Sequence, residues 1–549
     1  MLRSLSFLRR LLGDDRDAAF AAEEGRLRRS LDTPSLDPRF MNELRRDVRS
    51  QGPSVLLGNP IEAPELAVRL PLSEIAGSGH GVVLGATNSG KTYACLAIAR
   101  GVLAANAADP SSIGLVVLDH KGDMAELTRA AIAELVDRLP PDEARGLIDR
   151  VVVLNPFSEH ALVPMQVLQP EAGLAPEIQA YDATTVINRV GGELGVQQEQ
   201  YVYHACLMGV TCGVSLPEIQ RLSHDPAALA SCAARSSSAE VRAFFANERR
   251  LSATSLQGVQ ARLSRLLRLP SARLALGARG NVSFHDLLAS RILIIDVGSP
   301  PAGCEDIARF WAGLYTLRLV RGIFARTVAE ARRPVACFID EWQEGLLAGG
   351  DIAEHYERVL QMARSRGVGF WLSSQSFAGA ARVSATLPRV VQTNTRIQLW
   401  FAASPEDARM MSALPVTGRR PRPPAEPWEE RRGSPFMTPE SERELLREQL
   451  TTLPARTFLY WNRNRPYRAQ FVRTTPLRLP DLDALRPRLR QRLRDGALAR
   501  PIPELAREVD APAPAHPTGE PNQGVFRRRT PPTEPPALRG PSRQPRRGR

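Results

Sequence analysis

Lysine is almost absent from this sequence of 549 residues. Lysine and arginine together number 72, but only Lys91 and Lys121 are lysines, which leaves 70 arginines. The planar arginine fork does not replace a compact ammonium group at every site, above all where a phosphate is closely surrounded. The two lysines in this arginine-biased sequence are therefore candidate site residues. The alternative is that they remain by chance.

The sequence also lacks long apolar runs and paired cysteines. No run approaches the roughly 18 residues that span a membrane, so no integral membrane segment is expected. The first twelve residues, MLRSLSFLRRLL, have no small-residue cleavage site after them. They predict a basic amphipathic helix that touches a membrane surface or a partner, or is an ordinary surface helix. The six cysteines show no metal-ligand spacing, which favours buried thiols in a reducing cytoplasm.

Positive charge is abundant and unevenly distributed. The formal net charge is +13 and the sequence pI is about 10.1. The C-terminal stretch from His516 to Arg549 contains eight arginines and two glutamates, so it alone contributes +6. A basic surface attracts phosphate groups through counterion release, which favours nucleic acid or an anionic membrane face as a partner.

Short apolar runs without polar alternation recur along the chain and are separated by helical stretches. This pattern is typical of a parallel sheet covered on both faces and predicts a doubly wound α/β fold. The runs lie at 80–84, 113–119, 150–155, 291–297, 334–341, 367–373 and 396–402. Between about 170 and 285 the strand pattern stops, and residues such as Val259, Leu263 and Leu266 form an apolar stripe with helical spacing.

A phosphate-binding motif follows the first of these runs. The sequence GATNSGKT fits the GxxxxGK[ST] pattern between a predicted strand and a predicted helix. Its backbone N–H groups would face the phosphates, Lys91 would reach the β and γ oxygens, and the Thr92 hydroxyl would hold Mg²⁺. The predicted nucleotide-binding residues are Gly85, Ala86, Thr87, Asn88, Ser89, Gly90, Lys91 and Thr92.

Two acidic residues end a later apolar run, VACFIDE. Asp340 would order the Mg²⁺ shell, and Glu341 would polarise the attacking water as a general base. A strand that ends in Asp-Glu is weak evidence alone, but it completes the phosphate-binding motif. Neither lysine lies in an Asn-Lys-x-Asp guanine-reading context, so ATP is favoured over GTP.

Motifs and patterns together predict a RecA-like P-loop NTPase fold with a mainly parallel sheet, an all-helical inserted domain and a disordered C-terminal tail. The predicted segments are a polar helical segment at 1–48, the P-loop half of the ATPase core at 49–169, the helical insertion at 170–288, the second half of the core at 289–405, a loop, helix and hairpin at 406–500, and a disordered, basic Pro/Arg-rich tail at 501–549.

From about 58 to 480 the motifs resemble those of the HerA/FtsK-type DNA translocases, and among them the coupling ATPases of type IV secretion and conjugation. The resemblance is carried in order by GATNSGKT, VVLDHKGDM, RILIIDVGS, CFIDEWQ, ARSRGVGFWLSSQS and NTRIQLWFAASPEDARMMS. It implies that Lys121 lies in an acid-x-Lys strand end, where it positions the γ-phosphate, supports the P-loop or forms an ion pair. It also implies that Gln375 is a sensor glutamine and that Arg364 is an arginine finger, with Arg366 as a competitor.

A finger that acts on the next subunit implies a homo-oligomeric ring, expected to be a hexamer, around DNA held by sequence-independent backbone contacts. The implied function is an ATP-dependent DNA motor, with secretion or DNA-processing partner proteins. Coupling proteins usually have N-terminal membrane helices, which this sequence lacks. The protein is therefore expected in the cytoplasm, either docked through a partner at the inner face of the membrane or in a cytosolic role in DNA processing, packaging or defence. A nucleotide-gated adaptor for protein or nucleoprotein cargo is the alternative.

Overall fold

A computed structural model describes residues 53–510 except 62, 77–78, 172, 189, 191, 193, 247–251, 347–356, 414–436, 464–468, 476, 478 and 480. The predicted segment at 1–48 and the tail from 511 onward lie outside the described residues. The described part contains no helix that is long and apolar enough to cross a membrane.

The strands carry labels in chain order. They are β1 (Ser54–Pro60), β2 (Val68–Pro71), β3 (His80–Leu84), β4 (Gly114–Asp119), β5 (Val151–Leu154), β6 (Ala161–Leu162), β7 (Ile292–Asp296), β8 (Val335–Asp340), β9 (Val368–Ser374), β10 (Thr395–Trp400), β11 (Thr457–Asn462), β12 (Gln470–Arg473) and β13 (Arg500–Pro501).

The central sheet has eleven strands in the order β2-β1-β12-β11-β10-β3-β9-β8-β4-β7-β5. Neighbours from β10 to β5 are parallel, whereas β11, β12, β1 and β2 extend the sheet through antiparallel pairs. All seven predicted apolar runs form the parallel part. The predicted RecA-like fold with a mainly parallel sheet is confirmed.

The parallel strands are mostly apolar because both of their faces are covered. Val82 and Leu84 of β3 pack into one apolar cluster, whereas Val83 between them packs into another on the opposite face. Strand β4 alternates in the same way, and all six of its residues are buried. A strand buried on both faces has few positions for a polar side chain before it ends, and the buried Gln398 of β10 donates a hydrogen bond to the Thr395 carbonyl oxygen. Polar groups therefore collect just beyond the carboxyl ends of the strands.

The helices are likewise labelled in chain order. They are α1 (Leu72–Ala76), α2 (Lys91–Ala108), α3 (Asp123–Val136), α4 (Pro141–Arg150), α5 (Pro176–Ile187), α6 (Val196–Cys212), α7 (Leu216–Leu222), α8 (Pro226–Ala234), α9 (Ala239–Phe245), α10 (Ala253–Leu266), α11 (Pro270–Gly277), α12 (Phe284–Ser290), α13 (Glu305–Ala325), α14 (Trp342–Leu346), α15 (Ala378–Val383), α16 (Leu387–Asn394), α17 (Pro405–Ser412), α18 (Pro439–Thr451), α19 (Pro487–Asp495) and α20 (Ile502–Asp510).

Between β6 and β7 the regular structure of the described residues is entirely helical, from α5 to α12. The hydroxyl of Ser252 accepts a hydrogen bond from the Ser255 N–H and so caps the start of α10. From there Val259, Leu263 and Leu266 are buried on one side of the helix, as their spacing predicts. The all-helical insertion in the α/β fold is confirmed.

The predicted start of the disordered tail at 501 is wrong, because the described residues continue as the helix α20 to Asp510. Strand β13 pairs with β6 just before this helix. Leu505 is buried against Leu162 and Leu274, and Ile502 packs against the same cluster. The apolar residues of this segment do have helical spacing, but the period is short. The surrounding Pro- and Arg-rich composition therefore favours a prediction of disorder.

Candidate active site

The loop from Gly85 to Thr92 joins β3 to α2 at the carboxyl edge of the sheet. Its backbone turns tightly, with left-handed φ angles of 63° at Asn88 and 109° at Gly90. A Cβ atom at Gly90 would lie 3.0 Å from the Arg456 Cα. Thr87 and Asn88 are exposed at the top of the loop, and Thr92 is half-buried in the first turn of α2. The loop therefore curls into a cradle that opens to solvent, where N–H groups at a helix start favour an anion.

Lys91 reaches back into this loop. Its Nζ donates hydrogen bonds to the carbonyl oxygens of Gly85 at 2.6 Å and Ala86 at 2.9 Å. Burial lowers the pKa of the Lys91 ammonium, and the nearby carboxylates of Glu341 and Asp340 act in the opposite direction. The ammonium thus lies between the loop backbone and the acidic strand ends.

Acidic residues end two neighbouring strands beside the loop. Asp119 of β4 and Asp340 of β8 are paired in register and are both buried. Burial raises the pKa of the Asp119 carboxyl to about 7, with a further contribution from Asp340. Burial also raises the pKa of Asp340, and the charge of Glu341 adds to this rise. A buried, mutually repelling pair of carboxylates is an environment in which a divalent cation is electrostatically favourable.

Glu341 follows β8 directly and adopts an unusual backbone conformation. Its φ of 49° is left-handed, which is uncommon for a residue that is not glycine. Such a conformation costs on the order of 1–3 kcal/mol and persists only where the surroundings impose it. It turns the buried carboxylate towards three donors, namely Lys121, Gln375 and Gln343.

These donors determine the charge state of Glu341. Gln343 Nε2 donates to Glu341 Oε2 at 2.5 Å, and Gln375 Nε2 donates to Oε1 at 2.9 Å. The Lys121 ammonium forms an ion pair with the same Oε1. Burial alone would raise the pKa of the Glu341 carboxyl, but these contacts lower it below its usual value. Glu341 is therefore held as a carboxylate.

Gln375 connects the two sides of the site. It follows β9, the strand between β3 and β8 in the sheet. Its Oε1 accepts a hydrogen bond of 2.9 Å from the Thr87 hydroxyl, while its Nε2 donates to Glu341. One amide thus contacts both the phosphate-binding loop and the acidic strand end.

Arg364 lies away from this group. It belongs to the 3-10 turn Ala363–Arg366 that precedes β9, and it is exposed. Seven strand residues separate this turn from Gln375, which corresponds to about 20 Å. The competitor Arg366 has an internal role, since its Nη1 donates to the Arg326 carbonyl at 2.6 Å. Of the two arginines, Arg364 is therefore the one exposed to solvent. It lies at the amino ends of the strands, opposite the loop.

The structure thus brings together the loop from Gly85 to Thr92, Asp340, Glu341 and Gln375, but not Arg364. It also adds Gln343 and Arg456, to which no role is assigned from the sequence. The Arg456 N–H donates to the Ser89 carbonyl at 2.6 Å, which fixes the start of β11 against the loop. Gln343 has a sequence signal, because it lies two residues after Glu341 within CFIDEWQ. Arg456 has no such sequence signal, because it lies 365 residues after Lys91 in the chain.

Together, this fold and loop define a RecA-like α/β protein with a phosphate-binding loop. Neither protein-family models nor curated proteins match the sequence. Solved structures do share the fold. The unbound monoclinic form of the bacterial conjugative coupling protein TrwBdeltaN70 is similar with a TM-score of 0.50 and 16% identity, over 80% of this chain and 92% of that chain.

The plasmid coupling protein TrwB in complex with ADP and Mg²⁺ gives the same values, namely a TM-score of 0.50, 16% identity, 80% of this chain and 92% of that chain. VirB4 of Thermoanaerobacter pseudethanolicus is similar with a TM-score of 0.50 and 12% identity, over 78% of this chain and 98% of that chain. At the level of the fold, these similarities agree with the resemblance to type IV secretion and conjugation proteins predicted from the motifs.

Proposed function

We propose that this protein is an ATP-dependent DNA translocase that resembles the coupling proteins of conjugation and type IV secretion. The observation that carries the proposal is the group formed by Thr87, Gln375 and Glu341. It connects a phosphate-binding loop to a carboxylate held in its charged form. A protein that only binds nucleotide has no need for a preorganised base beside the loop.

ATP binds with its phosphates in the loop from Gly85 to Thr92. Lys91 Nζ exchanges its two carbonyl contacts for β- and γ-phosphate oxygens, which are stronger, charged acceptors. The Thr92 hydroxyl and the Asp340 carboxylate would hold Mg²⁺, which supplies positive charge for the phosphate oxygens. The buried position and raised pKa of Asp340 fit such a ligand.

Glu341 acts as the general base. Water attacks the γ-phosphorus, the bond from that phosphorus to the ADP oxygen breaks, and Glu341 accepts the proton of the water. Gln375 orients the water through an amide that already contacts Glu341 and the loop. A change at the γ-phosphate is thereby transmitted to the end of β9.

Arg364 acts on the site of a neighbouring subunit. Arg364 is exposed and lies about 20 Å along β9 from Gln375, so it does not reach the nucleotide site of its own subunit. An exposed arginine in this position can contact a neighbouring subunit. An arginine finger that acts on the next identical subunit requires a head-to-tail interface, and we propose that this interface closes into a hexameric ring. The finger stabilises the charge of the transition state.

DNA is proposed as the track, with contacts to its phosphates rather than to its bases. The net charge of +13 favours an anionic polymer, and TrwBdeltaN70, which shares the fold, is a bacterial conjugative coupling protein. We place the protein in the cytoplasm, docked through a secretion partner at the inner face of the membrane. A HerA-like role in DNA processing, packaging or defence uses the same motor chemistry.

Steady-state ATPase rates with and without long duplex DNA test this proposal. We expect DNA to stimulate hydrolysis by the wild-type protein. Lys91→Ala should abolish nucleotide binding, because it removes the only side-chain cation of the loop. Glu341→Gln should bind ATP and lower turnover by about 10²- to 10⁴-fold, because it removes the base. Normal turnover by Glu341→Gln would contradict the assignment of the base. A wild-type rate that neither duplex nor single strands change would favour the adaptor.

A further inference from the structure

Lys121, the second of the two lysines, has a fixed backbone in the turn after β4. The Asp119 carboxylate accepts the Lys121 N–H at 2.8 Å and the Ala125 N–H at 2.7 Å. From the other side Gly298 packs so closely that a Cβ atom there would lie 2.0 Å from the Lys121 carbonyl carbon. The position of the Lys121 ammonium can therefore change only through rotation of its side chain.

The ammonium of Lys121 contacts the proposed base itself. It pairs with Glu341 Oε1, the oxygen that also accepts the Gln375 amide. The Lys121 side chain is 40% exposed and that of Glu341 only 3%, so the lysine lies on the solvent side of the carboxylate. Two donors on one oxygen occupy the lone pairs that this oxygen would offer to water.

A γ-phosphate would compete for this ammonium. Phosphate oxygens carry more negative charge than a carboxylate, and lysine has a compact charge on a flexible stem that is easily redirected. The charges of both Lys121 and Glu341 influence Lys91, so the two lysines share one electrostatic environment around the phosphate-binding loop. Arginine, which replaces lysine almost everywhere else in this chain, has a larger and planar head group.

We propose that Lys121 exchanges between Glu341 and a γ-phosphate oxygen, so that binding of the triphosphate frees Glu341 Oε1 to accept the proton of the attacking water. This inference rests on the proposed ATPase function and deepens it. Lys121 is then a positioning residue that makes the base available only when the γ-phosphate is present. ADP leaves the ion pair in place.

Calorimetric titrations with Mg-ADP and with a non-hydrolysable Mg-ATP analogue test this exchange. For Lys121→Met, which keeps an unbranched, flexible stem but removes the ammonium group, we expect the affinity for the analogue to fall by about 10- to 100-fold. The affinity for ADP should stay within about twofold, because ADP lacks the γ-phosphate. Turnover at saturating ATP should fall as well. Lys121→Arg should not restore turnover, because its fork keeps the charge but not the compact shape.

Arg138→Ala is the matched control. Arg138 is a largely exposed cation on the surface just beyond α3, and its salt bridge is to Glu134. Its loss removes the same charge without removing a contact to the base. We expect both nucleotide affinities and the turnover rate of this variant to equal those of the wild type.

A double-mutant cycle with Glu341→Gln isolates the competition. Loss of the carboxylate should release Lys121 and strengthen binding of the ATP analogue by about threefold or more, a size typical of coupled neighbours. This gain should vanish when Lys121→Met is also present. Equal losses of ADP and analogue affinity in Lys121→Met, or a gain in Glu341→Gln that persists without the lysine, would overturn the inference. A wild-type protein that binds neither nucleotide would instead overturn the proposed function.

Discussion

Gln375 donates a hydrogen bond of 2.9 Å to the carboxylate of Glu341, although 34 residues separate them in the sequence. The contact forms because β8 and β9 are parallel neighbours whose carboxyl ends meet at one edge of the sheet. The same amide reaches Thr87 on the phosphate-binding loop. One side chain thus connects the loop proposed to bind the phosphates with the carboxylate proposed to activate water.

Substitution of Gln375 by alanine should slow hydrolysis without weakening nucleotide binding. In the proposed mechanism the amide orients the water and holds Glu341, whereas the loop and Lys91 bind the phosphates. We expect turnover to fall by about 10²-fold, as for loss of one preorganised hydrogen-bond donor. Rapid-quench kinetics and nucleotide titration measure the two quantities separately. Thr87→Val, which breaks only the contact to the loop, should have a smaller effect. A loss of affinity with unchanged turnover would assign Gln375 to binding instead.

Mixed assemblies test the proposal that Arg364 acts on a neighbouring subunit. Arg364→Ala and Lys91→Ala should each be inactive, since a finger contributes about 10³-fold or more to turnover. When the two variants are mixed, some interfaces combine an intact loop with an intact arginine. We therefore expect part of the ATPase activity to return in proportion to such interfaces.

Arg366→Ala provides the contrast, because Arg366 contacts the Arg326 carbonyl within its own chain. This variant should lower thermal stability, and mixing it with Lys91→Ala should not rescue it in the way expected of a finger. Tagged subunits can show that mixed rings form. If Arg364→Ala and Lys91→Ala form mixed rings but no ATPase activity returns, the result would contradict a finger that acts between subunits.

His80 should make the folded protein less stable in mild acid. Its Nδ1 accepts the Phe370 N–H and its Nε2 donates to the Leu360 carbonyl, so the neutral ring fits the core. Burial lowers its pKa from 6.5 to about 4. The unfolded state therefore binds more protons between these values. The contribution of His80 to the free energy of unfolding is therefore fully present above about pH 6.5 and is lost as the pH falls towards 4.

Urea unfolding at pH 7.5 and pH 5 measures this loss. For a pKa of about 4, we expect the free energy of unfolding to fall by about 2 kcal/mol over this interval because of His80. In His80→Gln this contribution should be absent, while the contributions of other groups, including the buried His120, remain. The difference between the two proteins isolates His80. The same pH dependence in both would contradict the neutral, buried ring.

Truncation after Asp510 should weaken DNA binding but not the fold. The removed tail carries eight arginines between His516 and Arg549, and each phosphate contact contributes about 0.9 to the slope of log affinity against log salt. We expect lower affinity and a shallower salt dependence in fluorescence anisotropy. Truncation after Pro501 should in addition lower Tm, because it removes the buried Leu505. Unchanged DNA binding in the first truncation would exclude the tail from DNA contact.

The sequence predicts the parallel sheet because seven apolar runs need cover on both faces, and their bounds agree with the strands to within a residue or two. It predicts the phosphate-binding loop because glycine and lysine spacing there is set by local backbone geometry. It cannot predict contacts such as Glu341 with Lys121, because these depend on the order of strands across the sheet. The missed helix α20 shows that a short apolar period is obscured where proline and arginine dominate the composition.

We propose that ATP hydrolysis at the site of Lys91 and Glu341 moves the protein along DNA. Displacement of a fluorescent third strand from a triplex at one end of a long duplex measures this movement directly. We expect ATP-dependent displacement by the wild type, with a delay that grows with the distance to the triplex, and none by Glu341→Gln. DNA-stimulated hydrolysis without displacement, in assembled wild-type protein, would contradict the motor and favour a nucleotide-gated adaptor.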